Sequence, residues 1–279
     1  MLRHWLAVSA VLAIASPAFA QQAVSPLPSP EEAGSGFTVA LGVGYTPDYV
    51  GSNDYRIIPA GAIRGTIGPV SLSTKSTYLY ADLFPRRANA IDFDLGPIAG
   101  IRLNRASHID DPIVRLLPDR KTAFEIGGFA GISLHNLTNP YDTLAFRLDV
   151  LHDIGNAHKS TVLSPNIDFS TPLSRYTYVS ASVGADFVSK RFADYYFGIT
   201  PADSLASGLP VFNPRGGMEK WKAGLLANQS ITGDLTRGLS VFGTANYSRL
   251  VGDFKRSPIV SQRGSPNQWL LAAGLAYTF

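Results

Sequence analysis

The feature that most limits what this chain can fold into is an alternation of apolar and small or polar residues with a period of two. It is clearest at the C-terminus. From Gln268 to Phe279 the odd positions Trp269, Leu271, Ala273, Leu275, Tyr277 and Phe279 are apolar. The even positions Gln268, Ala272, Gly274, Ala276 and Thr278 are small or polar, with Leu270 the exception. Successive side chains of a β-strand point to opposite faces, so this is a strand with one greasy face. Rings stand at both ends of the apolar stripe, the arrangement that marks a strand crossing an outer membrane between two aromatic girdles. The last strand of a soluble β-sandwich could carry the same alternation. Whether the chain is exported, and whether the pattern repeats, separates the two.

Export is written at the N-terminus. Arg3 and His4 precede an apolar or small run from Trp5 to Ala15, followed by Ser16-Pro17 and Ala18-Phe19-Ala20. These are the charged region, apolar region and small-residue cleavage site of a secretory signal peptide, with cleavage expected after Ala20. A membrane anchor would need roughly 20 apolar residues. Every later apolar run is interrupted within a few residues, so a membrane form of this chain must be a barrel. Gln21 to Gly36 is rich in Pro, Ser, Gln and Glu without periodicity and reads as a flexible periplasmic lead-in.

The chain has no cysteine, so its stability must come from packing or from the membrane rather than from disulfides. A net charge of +3 gives no basis for a nucleic-acid partner. With 26 Gly, 12 Tyr and 15 Phe, only 16% charged residues and no sustained helical period, composition favours one large β domain over residues 37–279.

From Phe37 onward the alternation repeats. Phe37, Val39, Leu41, Val43 and Tyr45 oppose Thr38, Ala40, Gly42 and Gly44, and comparable strands follow to the end. The apolar faces would meet lipid. The other faces carry Gly, Ser, Thr, Asn and Tyr with sparse charges of both signs: Asp92, Asp94, Arg102, Glu125, Arg147, Asp149, Asp186, Lys220 and Lys222. A solvent-facing sheet would carry many Lys and Glu, whereas a mixture of opposite charges suits a narrow polar lumen where they pair. Short turns at 68–69, 137–141, 171–175 and 232–237 alternate with longer excursions at 104–121, 152–158, 190–217 and 249–267, as in outer-membrane barrels. The strand count is eleven or twelve, depending on whether 70–84 is one strand or a hairpin turning near Ser73 to Ser76. A periplasmic N-terminus requires an even number and so favours twelve. The expectation is an all-β, antiparallel transmembrane β-barrel of about 12 strands (10–12) in the Gram-negative outer membrane, whose partners include outer-membrane lipid and the barrel assembly machinery.

Four stretches in order also resemble a known family. They are Gly44-Tyr45-Thr46-Pro47-Asp48-Tyr49-Val50-Gly51-Ser52, Tyr195-Tyr196-Phe197-Gly198-Ile199, Ser257-Pro258-Ile259-Val260 and the closing Gly274-Leu275-Ala276-Tyr277-Thr278-Phe279. Together they are similar to the MipA/OmpV family of outer-membrane barrels, across nearly all of the mature chain. The resemblance implies a barrel that scaffolds murein synthase and lytic transglycosylase partners; other members are linked to adhesion or antibiotic susceptibility. It brings no catalytic set.

Candidate chemistry is sparse. His158-Lys159-Ser160 has the His-x-Ser spacing of outer-membrane lipid hydrolases, in which an imidazole deprotonates a hydroxyl two residues along a strand. Here both residues share parity with Ser164, Asn166 and Asp168 and so face the lumen, away from lipid. His152, Asp153 and His158, and separately His108, Asp110 and Asp111, offer metal-ligand types without a diagnostic spacing. No cofactor motif is present, and the expectation is no enzyme activity and no cofactor. Tyr195, Tyr196, Phe197 and Gly198 could stack a ligand or pack a long loop against the barrel mouth; packing is the preferred reading. A narrow pore for small solutes and a surface adhesin are the alternatives to a scaffold.

Overall fold

A computed structural model of the chain describes residues 36–84, 90–106 and 109–279. The predicted leader and almost all of the lead-in lie outside them. Among the described residues twelve strands form one closed antiparallel barrel: β1 (Thr38–Pro47), β2 (Tyr55–Ile67), β3 (Val70–Lys75), β4 (Tyr78–Asp82), β5 (Ile91–Arg102), β6 (Ala123–His135), β7 (Thr143–Asp153), β8 (Thr161–Pro172), β9 (Thr177–Val188), β10 (Gly217–Ser230), β11 (Gly238–Leu250) and β12 (Asn267–Thr278). Each strand pairs with its neighbours in sequence, and β12 returns to β1 with Leu275 opposite Leu41 and Gly274 opposite Gly42. Backbones come close at this seam: a Cβ on Gly42 would lie 2.2 Å from the Ala273 carbonyl oxygen. The expected barrel and its twelve strands are therefore present. The 70–84 segment is a hairpin, although its turn falls at Ser76-Thr77, later than the polar run Ser73 to Ser76 suggested.

Closure removes the open edge that a flat sheet would present. It also fixes which face is which. On β12, Trp269, Leu271, Leu275, Tyr277 and Phe279 are exposed on the outside, while Gln268, Ala276 and Thr278 are buried inside. At one end of the exterior Trp221, Tyr247 and Trp269 pack ring against ring, and Tyr45 stacks on Tyr55. At the other end Phe37 and Tyr277 both contact Phe279. From Trp269 to Tyr277 the strand rises roughly 26 Å, or about 20 Å along the barrel axis at a typical tilt. That matches the apolar band of an outer-membrane barrel, about 25 Å tall. No helix among the described residues is long and apolar enough to cross a membrane.

The two ends differ. One carries the turns at 68–69, 136–142, 173–176 and 231–237. The other carries the segments 48–54, 103–122, 154–160, 189–216 and 251–266, together with the tight 76–77 turn. The excursion expected at 152–158 is a loop of the same length shifted to 154–160, because β7 runs through to Asp153.

Candidate functional site: a capped lumen

Among the described residues the inner face of the wall carries three ionic clusters. Near the long-loop end, Glu125 of β6 accepts from Arg102 Nε at 2.7 Å and Nη2 at 3.0 Å, from the Tyr78 hydroxyl at 2.5 Å, and pairs with His158 Nε2 at 2.7 Å. On β7, Arg147 Nε donates to Asp149 at 2.7 Å, and Tyr80 donates to the other carboxylate oxygen at 3.1 Å. On β9, Asp186 lies 2.8 Å from Lys222 Nζ and 3.4 Å from Lys220 Nζ, and accepts from the Ser164 hydroxyl. Burying an ion away from water is costly unless a counter-charge and hydrogen bonds replace the lost hydration, and each cluster supplies both. Asp94 accepts from Ser133, and Asp92 lies 3.5 Å from His135. The structure thus places Asp92, Asp94, Arg102, Glu125, Arg147, Asp149, Asp186, Lys220 and Lys222 on the inner side, most of them in contact with an opposite charge.

Strand parity missed several residues inside. Glu219 is buried beside Lys220, with its carboxylate 3.6 Å from Nζ. Consecutive residues of a regular strand cannot both face inward; here a register shift against β9 between Met218 and Lys220 turns both into the lumen. Tyr78, Tyr80, Ile98, Phe129 and Leu151 form an apolar cluster within the lumen, and Tyr178, Leu226 and Leu235 form another. The lumen is consequently less polar than the sequence implies. Phe129 could have been found from its parity with Glu125 and Ser133.

The long loops meet over the mouth. Helix α1 (Lys190–Phe197) buries Phe192, Ala193, Tyr196 and Phe197, which lie on one stripe because helix neighbours recur every three to four residues. Helix α2 (Pro201–Ser207) starts at a capping box, in which the Thr200 side chain accepts from the Asp203 N–H and Asp203 reaches back to the Thr200 N–H, with Pro201 in the first turn. It ends at Gly208, whose φ of 74° suits a residue without Cβ. Helices α3 (Gly252–Arg256) and α4 (Pro258–Ser261) fold the last loop back. Their apolar residues join those of the other loops in one core that includes Tyr49, Val114, Phe192, Tyr196, Phe197, Phe254, Ile259 and Val260.

Cross-loop bonds tie this cap together. Tyr49 donates to the Ile259 carbonyl at 3.2 Å, Ser257 to the Phe197 carbonyl at 2.6 Å, Arg105 Nη1 to the Tyr196 carbonyl at 3.1 Å, and the Lys121 N–H to the Tyr195 hydroxyl at 2.8 Å. Arg263 lies 2.8 Å from Asp111. Burial alone would raise the Asp111 carboxyl, but the N–H groups of Val114 and Ile113 and the Arg263 guanidinium hold it below the usual carboxylate range. The loops at β5–β6 and β11–β12, six strands apart in the ring of twelve and so on opposite sides of the wall, thus contribute to the same core, together with those at β1–β2 and β9–β10. The cap rests on the first ionic cluster: the His158 ring packs on Phe192 and Tyr196, and the Arg102 guanidinium lies 5.2 Å from the Phe192 ring centre.

The candidate catalytic pair does not form. His158 is turned to Glu125, while the Ser160 hydroxyl bonds the Ser189 hydroxyl at 2.6 Å. The metal candidates diverge as well. His152 points outward and bonds Thr161, Asp153 accepts from the Gly155 and Lys159 N–H groups, and Asp111 is taken up by Arg263. His108 lies outside the described residues. Among the described residues no group of three or more acidic, histidine or cysteine side chains could hold a metal. Tyr196 and Phe197 are buried in the cap core, with Tyr195 packed at its edge.

A closed antiparallel barrel with an apolar, aromatic-edged exterior and a charged interior defines an outer-membrane β-barrel. The family model for "MltA-interacting protein MipA" matches residues 39–279, and the chain belongs to that family. The MltA-interacting proteins of Escherichia coli (strain K12) and Shigella flexneri are each 32% identical to it over 111 residues, 38% of this chain and 42% of theirs. The aligned stretch thus spans about two fifths of the length of those relatives. Among solved structures, the NanC porin is 9% identical with a TM-score of 0.48, covering 86% of this chain and 98% of its own. The COG4313 outer-membrane channel from Pseudomonas putida F1 is 11% identical with a TM-score of 0.48, covering 88% and 96%.

Proposed function

We propose that the chain is a non-enzymatic, non-conducting outer-membrane scaffold. In this reading the cap faces outward and the short-turn end faces the periplasm, together with the N-terminus and the 21–36 lead-in left after removal of residues 1–20. Periplasmic murein synthase and lytic transglycosylase enzymes are the partners, engaging the short turns and the lead-in. Outer-membrane lipid surrounds the wall, and the barrel assembly machinery inserts it. One observation carries the non-conducting part: loops from opposite sides of the wall share one buried core over the mouth. The scaffold role is supported by family membership and by relatives whose name records an interaction with MltA.

Cross-linked affinity capture from envelopes tests the partner. Enrichment of a murein enzyme with the intact chain, reduced when 21–36 is deleted or the 137–141 turn is replaced by a Gly-Ser linker, supports it. Capture of envelope proteins without any murein enzyme contradicts it.

A further inference from the structure

A concave pocket of about 570 Å³ opens in the cap between the loops that follow β5, β7 and β9. Its wall includes Arg120, His158, Lys159, Arg191 and Asp203. Several buried polar atoms around it have no hydrogen-bond partner among the described residues. His158 is 1% exposed and lines the pocket; its Nε2 is used by Glu125, while Nδ1 has no hydrogen-bond partner. Nε of Arg120 is likewise buried without a partner, and its guanidinium is held 5.0 Å from the Tyr195 ring centre. Behind it Arg105, 2% exposed, spends only Nη1 on the Tyr196 carbonyl and leaves Nε and Nη2 unpaired. The Tyr196 hydroxyl, buried beneath His158, is unpaired too.

This arrangement is costly for a protein on its own. Native structures pair nearly all buried polar groups, and an unpaired buried cation costs far more than an unpaired hydroxyl. Burial, and then the like charge of Arg120, pushes the Arg105 guanidinium down to about 10; burial lowers Arg120 as well. Arg105 and Lys159 also hold left-handed backbone angles, φ of 57° and 49°, which residues with a Cβ rarely adopt. The carboxylates nearby offset only part of this charge: Asp203 attracts both Arg105 and Arg120 and Asp119 attracts Arg105, while Asp194 is paired with Lys190.

We propose that this pocket is an oxyanion site for a phosphate group, seated against Arg120 and the His158 ring, backed by Arg105 and flanked by Lys159 and Arg191. Guanidinium groups suit it because their forked N–H groups match two oxygens of a tetrahedral anion. His158 Nδ1 complements them, accepting from a protonated phosphate oxygen or donating when the ring is charged. The phosphate belongs to a free phosphate compound or to the headgroup of a phosphorylated glycolipid, and the test separates these sources.

The purified full-length barrel in detergent is titrated with inorganic phosphate at constant ionic strength, with 31P line broadening and calorimetry as readouts. A second arm uses detergent-dispersed lipid A with and without its phosphates. The wild type should bind one equivalent saturably, Arg120→Gln should bind about tenfold more weakly, a difference of about 1.4 kcal/mol, and Arg215→Gln, whose guanidinium pairs with Asp253 outside the pocket wall, should match wild type. Arg191→Gln, at an exposed position on the rim, replaces Arg120→Gln if the latter loses the folded, heat-modifiable gel mobility. Binding of free phosphate identifies a soluble ligand; binding of phosphorylated lipid A alone identifies a headgroup. No saturable binding in either arm, or equal binding by wild type and the folded variant, overturns the site and assigns the unpaired donors to water.

Discussion

Between Val188 and Gly217 the chain leaves the wall, builds two helices and buries four residues of the first in a core shared with three other loops. Between Ser230 and Gly238, at the opposite end, it simply turns, with the Thr232 hydroxyl accepting from the Leu239 N–H and Asp234 accepting from the Thr236 N–H and hydroxyl. The other short turns are similarly local: the Ser174 hydroxyl accepts from the Tyr176 and Thr177 N–H groups, and Asp142 accepts from the N–H groups of Leu137, Thr138 and Asn139. One end is therefore held mainly by packing across loops and the other mainly by hydrogen bonds within each turn, although Leu235 of the 231–237 turn packs on Tyr178 and Leu226 and its N–H donates to the Arg175 carbonyl. Packing across loops is cooperative, so a deletion in the cap should be felt throughout it. A deletion in a turn should stay where it is made.

The largest effect is expected where cap and wall share a charge. Glu125→Ala leaves Arg102 and His158 buried without their carboxylate, which costs about 3–5 kcal/mol for a broken buried pair. Both the heat-modifiability midpoint of the barrel and the hydrogen-exchange protection of α1 should fall. A variant as stable as wild type would mean that water reaches this cluster. Next comes Ile259→Ala in the cap core, expected to cost about 2–5 kcal/mol through the cavity it leaves. Proteolysis and hydrogen exchange should increase at 103–122, 189–216 and 251–266 together, while the strands stay protected. Increased exchange confined to 251–266 would show that the cap is a set of independent loops. The smallest effect belongs to Ser174→Ala. It removes acceptors at an exposed turn, with a change of about 1 kcal/mol or less and no effect on the cap.

The same contrast explains what could be read from the sequence. Parity exposed the wall because a period of two is imposed on every strand by the membrane outside and the lumen inside: Leu271 and Leu275 could not have faced the other way. The strand count followed from topology, and the turn falls at Ser76-Thr77 because β3 and β4 stay paired up to Lys75 opposite Tyr78, with Ser76 at a φ of 55°. Glu219 was missed because a bulge breaks the period that parity relies on. The cap was legible only in part: the rings of Tyr195, Tyr196 and Phe197 suggested a loop packed at the barrel mouth, but not what it packs against. Tyr49, Phe197 and Ile259 are separated by most of the chain and acquire a common environment only after closure, so no local pattern announces them. His158 shows both limits: its spacing to Ser160 suggested a pair, whereas folding gives it Glu125 on one side and an open pocket on the other.

The packed loops close the mouth of the barrel. Conductance of the purified chain in planar bilayers tests this most directly, alongside a variant in which 189–216 is replaced by a short Gly-Ser turn. A silent wild type and reproducible steps from the shortened variant are expected. Reproducible single-channel steps from the wild type, unchanged by removal of the loop, would show an open mouth and make the chain a narrow pore.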